Sequence, residues 1–257
     1  MFQDRAAEAG HGALSRGGPT GQNRLTLLAP LCLGLLLLLA GGCATVSHRA
    51  LAWEAELGPV PGTLVTPQEL LTELNLHQIP IPDGRFGRRK DLAMRPSYIT
   101  IHSTQNPTGD AWAHARALQN GKLRGGRRTG FLFWHFTVQQ DVAIQHLPVQ
   151  VAGEHADLDG PGNRHSIGIE MAEHRGNQLA ATIDRTAKLT AFLAYTQGIS
   201  PRNVVPHYHW PREGYNPPNK NCPHFLLENG KPGATWAWFK ARVQAHYRRI
   251  APAPPTA

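Results

Sequence analysis

The sequence is poor in cysteine. Its 257 residues contain only 3, Cys32, Cys43 and Cys222. The first lies in the uncharged run LTLLAPLCLGLLLLLA, residues 25–40, which follows a basic segment and precedes small residues. This order is typical of a secretory signal, so the sequence predicts export. Cys222 is then left without a partner for an intramolecular disulfide, which excludes a disulfide-stapled fold.

The chain also lacks an extended basic patch, although its formal net charge is +8. One tight basic group, RFGRRK, covers residues 85–90, and the other basic residues are scattered. This distribution favours a solvated basic face or an anionic polymer of the cell envelope. We therefore expect no nucleic-acid partner. Internal repeats and coiled-coil heptads are absent from the sequence as well.

The residues around Cys43 resemble the lipobox of bacterial lipoproteins. Leu, Ala, Gly and Gly precede it, with Ala40 where Leu is usual. The resemblance implies that residues 1–42 are a lipoprotein-type signal peptide and that Cys43 is acylated. The residue after Cys43 is Ala44 and not Asp, which would indicate another destination. This pattern resembles that of lipoproteins sent to the outer membrane, where they face the periplasm. The alternative is a simple membrane anchor, because the apolar run approaches the length of a short transmembrane helix.

One domain of ordinary size follows the signal. Residues 43–95 are expected to form the lipidated N-terminus and an extended lead-in, which includes the amphipathic stretch PQELLTELNL. Residues 96–250 are expected to form the folded domain. The ending APAPPTA, residues 251–257, is typical of a disordered tail.

Strand and helix patterns alternate within the domain. Apolar and β-branched runs predict strands over residues 97–104, 131–138, 142–147 and 165–172, and an extended piece over 203–210. Helical periodicity predicts helices over 109–121, 184–198 and 234–250, with Asp184 as the cap of the second. The pattern predicts a single α/β domain with a mixed central β-sheet flanked by helices. Sites in such sheets form where strands end.

Several polar side chains stand at predicted strand ends or in the final loop. They are His102, Glu170, His207, His209, Lys220 and Cys222. Taken singly, each has an ordinary structural explanation, such as a surface His or a salt-bridged Glu. Two imidazoles and one thiolate together suit Zn²⁺, and three protein ligands with an open fourth position are typical of catalytic zinc. A neighbouring carboxylate to move a proton and a cation to stabilise an oxyanion complete a site for metal-assisted amide or ester hydrolysis.

A cysteine nucleophile with a histidine base is the competing enzymatic interpretation. That chemistry prefers a thiolate at a helix N-terminus beside one His. Here Pro223 directly follows Cys222. The interpretation also leaves His102 and Glu170 without roles, so the sequence favours zinc.

Five motifs in order resemble a known family. YITIHST, WHFTV with AIQHLP, SIGIEMAE, HYHW and KNCPHF fall between about residues 95 and 245. They resemble zinc-dependent N-acetylmuramoyl-L-alanine amidases of the amidase-2 type, related to phage T7 lysozyme and to peptidoglycan recognition proteins. The resemblance implies a mixed central sheet with one zinc ion in a surface groove. The implied reaction is hydrolysis of the amide between N-acetylmuramic acid and L-alanine in peptidoglycan or its fragments.

Site residues carry over by motif. His102, His207 and Cys222 match the zinc ligands, Glu170 matches the general base, and Lys220 matches the Lys of the K-x-C motif that assists catalysis.

Three further residues are expected near the substrate. The H-x-x-W spacing to Trp210 favours the first His of HYHW as the ligand, which leaves His209 to support a ligand or to contact substrate. Trp134 stands where the phage enzyme has a catalytic Tyr, and its N–H cannot act as an acid or base at neutral pH. His155, in GEHAD, is also expected to touch substrate. The insertion PREGYNPPN, residues 211–219, predicts a groove wall, a lid or a tolerated surface insertion.

A second function on the same fold stays open, namely a lipoprotein that binds peptidoglycan without cutting it. The presence of all three candidate ligands favours the enzyme. The expected partners are peptidoglycan or muropeptides and, through the lipid, a membrane. The expected oligomeric state is a monomer.

Overall fold

A six-stranded mixed sheet forms the centre of the fold. Its strands are β1 (Leu76–Gln78), β2 (Tyr98–Ser103), β3 (Phe136–Val138), β4 (Ala143–Gln145), β5 (Ser166–Met171) and β6 (Val204–Pro206). They lie in the order β1-β4-β3-β5-β2-β6, with β3 and β4 antiparallel and the other neighbours parallel. A small second sheet pairs β7 (Leu227–Glu228) with β8 (Lys231–Pro232). The predicted mixed central sheet is confirmed, and the strands predicted over 131–138 and 142–147 contain β3 and β4, which pair as a hairpin.

These observations come from a computed structural model that describes residues 47–89, 92–126 and 129–251. The predicted signal peptide, Cys32 and Cys43 lie outside the described residues, as does most of the predicted tail. Within the described ranges, no helix combines the length and the apolar character that crossing a membrane requires.

Helices cover both faces of the sheet. They are α1 (His48–Leu57), α2 (Pro67–Leu74), α3 (Ala111–Gln119), α4 (Pro161–His165), α5 (Leu179–Thr196) and α6 (Ala234–Arg248). The main hydrophobic core lies under α5 and α6, while Ala111 and Ala115 of α3 pack on Ile144 in a separate cluster. Neighbouring Ala143 of β4 belongs to the main core. Because successive strand residues point to opposite faces, α3 covers the face opposite α5 and α6.

Alternation along the two central strands separates the core from a polar face. Ile99 and Ile101 of β2 and Ile167 and Ile169 of β5 are fully buried in the main core. The residues between and after them therefore point to the other side of the sheet. They include Thr100, His102, Gly168 and Glu170. Every predicted site residue on a strand lies on this polar face.

The expected extended lead-in is wrong for residues 48–78, which form α1, α2 and β1. A capping box between Thr66 and Glu69 starts α2, and Leu70 and Leu74 of that helix are fully buried. The local start signal and the buried apolar face fix this segment as part of the domain.

The predicted role of Asp184 as a helix cap is also wrong. Helix α5 begins at Leu179, because Leu179 already packs against the core and Ile183 is part of it. Asp184 faces α6, where its Oδ1 accepts hydrogen bonds from Arg242 Nε at 2.6 Å and His246 Nε2 at 2.8 Å. Burial alone would raise the pKa of Asp184, but the hydrogen bond from His246 and the positive charge of Arg242 hold it well below its usual range.

An Asp184→Asn variant is expected to lower the free energy of unfolding by about 3 kcal/mol at neutral pH, because the buried Arg242 loses the nearer of its two carboxylate partners and keeps only Glu54 at 3.2 Å. A carboxylate whose pKa is depressed by folding stabilises above its ordinary pKa of 3.8 and loses that effect as pH falls. The difference in the free energy of unfolding between wild type and variant should therefore become smaller as the pH falls. Urea unfolding at several pH values, with Asp159→Asn as an exposed control, measures this. A difference that stays constant with pH would contradict the stabilising role of the ionised Asp184.

Candidate metal centre and catalytic cleft

Strand register brings His102 and Glu170 side by side. The parallel pairing of β2 with β5 sets His102 opposite Glu170, and β3 sets Thr137 on the other side of Glu170. Both site residues point to the polar face, with His102 Nδ1 4.0 Å from Glu170 Oε1. The sequence therefore places a carboxylate beside the first candidate ligand through backbone pairing alone.

Two loops bring the other candidate ligands to His102. Strand β6 pairs with β2 and ends at Pro206, so His207 begins a 3-10 turn beside His102. The final loop is tied to this turn because Tyr208 N donates to the Cys222 carbonyl at 3.1 Å. One nitrogen of each His and the Cys222 sulfur all lie within 4.8 Å of one another.

Hydrogen bonds to carbonyls fix which nitrogen of each ring carries its proton. His207 Nε2 must donate to the Ala156 carbonyl at 3.0 Å. His155 Nε2 must donate to the Ser166 carbonyl at 3.3 Å, so its Nδ1 accepts from His102 Nε2 at 3.1 Å. The Nδ1 atoms of His102 and His207 are then both unprotonated, although they lie only 2.9 Å apart. Two facing lone pairs repel each other unless a cation lies between them, so this arrangement fits a metal ion.

The protonation of both rings suits metal ligation. Burial lowers the pKa of His102 well below its ordinary value. Burial also lowers the pKa of His207 to about 3, and the charges of Lys220 and Arg212 act in the same direction. Both imidazoles are therefore neutral at pH 7, as ligation requires.

Cys222 lies buried within the candidate ligand cluster and is not an exposed nucleophile. Its side chain is fully buried, and its sulfur accepts from Ser103 N at 3.3 Å. Burial and the charge of Glu170 raise the pKa of the thiol to about 12, against the opposing charge of Lys220. Reactive cysteines are partly exposed and have depressed pKa values, so the alternative of a free cysteine nucleophile disagrees with the structure. A metal ion held here would deprotonate the thiol, and the Ser103 N–H would then donate to the thiolate.

Glu170 borders a cleft beside this cluster. The cleft has a volume of about 200 Å³ and is lined in part by Trp134, Glu170, His207, Arg212 and Lys220. The side chain of Glu170 is 14% exposed, and its Oε2 has no hydrogen-bond partner among the described residues. Burial raises the pKa of Glu170 to about 7, with Lys220 opposing the shift. A carboxylate with a free oxygen and a pKa near neutrality is suited to accept and return a proton.

The three expected substrate contacts have different surroundings. Trp134 lines the cleft, but its N–H donates to Thr137 Oγ1 at 2.8 Å, so only the ring is available to a ligand. His209 is exposed and stacks on Tyr98 with centroids 6.1 Å apart. The structure thus places His207, and not His209, in the cluster.

His155 borders the cleft as well, where a ligand could touch its ring. Both of its ring nitrogens are engaged, one by His102 and one by the Ser166 carbonyl. Its position makes it a positioning residue that holds the tautomer and the orientation of His102. Sequence reasoning also missed Arg212, whose only signal was its place in an insertion just ahead of the K-x-C motif.

A family model described as N-acetylmuramoyl-L-alanine amidase, Amidase_2, matches residues 92–225. The chain belongs to this amidase family. All the candidate site residues discussed above lie inside the matched range.

Relatives with curated names agree with the family assignment. The chain is 39% identical over 173 residues to the N-acetylmuramoyl-L-alanine amidase XlyA of Bacillus subtilis (strain 168), a match that covers 66% of this chain and 51% of that protein. It is 35% identical over 145 residues to CwlH of the same organism, covering 55% of this chain and 52% of that amidase. The chain therefore spans about half the length of these curated relatives.

The fold agrees with a solved amidase structure. The structure of the catalytic domain of XlyA matches with a TM-score of 0.55 at 39% identity, and the match covers 66% of this chain and 99% of that domain. The shared portion with XlyA is thus the part of that protein described as its catalytic domain.

Proposed function

We propose that this member of the family is a zinc-dependent N-acetylmuramoyl-L-alanine amidase. It hydrolyses the amide between N-acetylmuramic acid and L-alanine in peptidoglycan or its fragments. The observation that carries the proposal is the pair of unprotonated Nδ1 atoms on His102 and His207, beside the buried sulfur of Cys222 and the free oxygen of Glu170. The named activity of XlyA and CwlH supports the choice of substrate.

His102, His207 and Cys222 would hold the ion. Zn²⁺ bound there would polarise the substrate carbonyl and lower the pKa of a water molecule. Glu170, through its unbonded Oε2, takes a proton from the attacking water and delivers it to the departing nitrogen of L-alanine. Lys220, which lines the same cleft, stabilises the negative charge that develops on the carbonyl oxygen.

The decisive experiment measures metal and turnover on the same sample. Purified full-length protein is expected to contain about one zinc ion per chain, since its described residues hold one cluster of suitable ligands. It should release the stem peptide from muropeptides, lose this activity on chelation and regain it with added zinc. Zinc without turnover would instead indicate a peptidoglycan-binding module. Turnover that ignores the chelator would exclude the zinc mechanism.

The cellular address is part of the proposal. The sequence around Cys43 supports a lipid-anchored protein of the outer membrane that faces the periplasm. The proposed oligomeric state is a monomer. Mass spectrometry of the mature N-terminus tests the anchor, because an unmodified Cys43 would exclude it. Sedimentation of the purified protein tests the oligomeric state.

A further inference from the structure

The insertion PREGYNPPN forms one wall of the catalytic cleft. Arg212 and Tyr215, both inside it, line the cleft together with Lys220. The insertion closes on itself, because Arg212 N donates to the Pro218 carbonyl at 3.0 Å and Tyr215 N donates to the Arg212 carbonyl at 3.3 Å. Asn219 Nδ2 donates to the Tyr208 carbonyl at 2.8 Å, next to the candidate ligand His207. These bonds hold Arg212 and Tyr215 in the wall of the cleft, while residues 213–218 are exposed.

Arg212 is held in the cleft with unused hydrogen-bonding capacity. Its guanidinium lies over the Tyr215 ring, 4.2 Å from the centroid. Stacking occupies the faces of the guanidinium plane and leaves the in-plane N–H groups free for a ligand. The Nε atom is buried and has no hydrogen-bond partner within the described part of the chain. A buried, unpaired donor on a charged group is costly, so an acceptor that reaches the guanidinium would stabilise it.

The charges around the cleft indicate what that ligand is. Lys220 and Glu170 both line the cleft, so one cation and one carboxylate there offset each other. Arg212 has no carboxylate partner among the described residues. A planar fork of N–H donors matches the two oxygens of a carboxylate better than any neutral group. Glu154 is the other carboxylate among the described lining residues, and its Oε1 accepts from Asn163 Nδ2 at 2.8 Å. Arg212 therefore leaves, on the side of the insertion, a positive charge that no described carboxylate pairs with.

We propose that Arg212 is a specificity-determining residue that binds a carboxylate of the peptide attached to L-alanine. This inference rests on the proposed function and adds a preference among its substrates. Muropeptides that keep free carboxylates near the scissile amide are cleaved faster than those in which these groups are amidated. The insertion supplies both the arginine and the aromatic ring that orients it.

The test compares two probes that differ only in charge. One is N-acetylmuramoyl-L-alanyl-D-glutamate, and the other is the same compound with both carboxylates converted to carboxamides. The full-length wild type, Arg212→Gln, Arg212→Lys and the exposed control Arg202→Gln are assayed on both for kcat/KM. Calorimetric binding of both probes is measured in a Glu170→Gln background, where turnover is suppressed.

Arg212→Gln is expected to lower kcat/KM and affinity for the carboxylate probe by about 10- to 100-fold, since a hydrogen-bonded ion pair is lost. The loss on the amidated probe should stay within about 3-fold, and Arg212→Lys should recover part of the difference. Arg202→Gln should match wild type. An equal loss on both probes, or no loss, would overturn the inference. If neither the wild type nor any variant cleaves either probe, the proposed function is contradicted. The calorimetric comparison of the two probes then still tests the role of Arg212.

Discussion

A Glu170→Gln variant is expected to keep its zinc and to lose about 100- to 10,000-fold in kcat, the range found when a general acid–base group is removed. Gln has nearly the same shape as Glu but cannot take a proton from water or return it. Glu170 is not among the three residues whose ligand atoms cluster, so zinc content should not change. Steady-state cleavage of a muropeptide and zinc analysis of the same preparation measure both quantities.

The control for this variant is Glu56→Gln, an exposed carboxylate on α1. It should retain wild-type kcat and zinc content. If Glu170→Gln loses its zinc along with its activity, the carboxylate supports the ligands and is not the base. If kcat falls less than about 10-fold, another group moves the proton.

Residues whose position follows from local pattern were predictable from the sequence. Apolar and β-branched runs predicted the two strands that carry Ile99, Ile101, Ile167 and Ile169, and they placed Glu170 at the end of the second strand. The choice of His207 over its neighbour came from spacing to a tryptophan, and the structure places that residue in the cluster. In these cases the backbone period alone determines where the side chain points.

Residues whose role depends on distant partners were not predictable. Asp184 follows the local rule for a helix cap, yet the apolar residues before it extend α5 upstream and leave it facing Arg242. His155 lies 53 positions along the chain from His102, and only the folded sheet places its Nδ1 against that ring. The unpaired Nε of Arg212 could not be predicted from the sequence either, because it depends on how the residues of the cleft are brought together.

A Cys222→Ser variant is expected to weaken zinc binding by about 100-fold or more and to lose turnover in proportion. Zinc affinities of about 10–16 kcal/mol are shared among a few ligands, so each accounts for several kcal/mol. Serine keeps the size of the side chain but offers a poorly ionised hydroxyl in place of a thiolate. Competition with a zinc-binding dye gives the affinity, and circular dichroism shows whether the fold is kept.

The same thiol separates the zinc mechanism from cysteine catalysis. Cys222 is fully buried and lies within the ligand cluster, so alkylating reagents should leave the zinc-loaded wild type active. Excess zinc should restore part of the activity of Cys222→Ser, because the two imidazoles remain. A serine variant that binds zinc like wild type yet stays inactive would show that the thiol itself reacts. Rapid alkylation of the zinc-loaded protein with loss of activity would point the same way. On this proposal, the thiol of Cys222 needs no disulfide partner because it is a ligand of the metal ion.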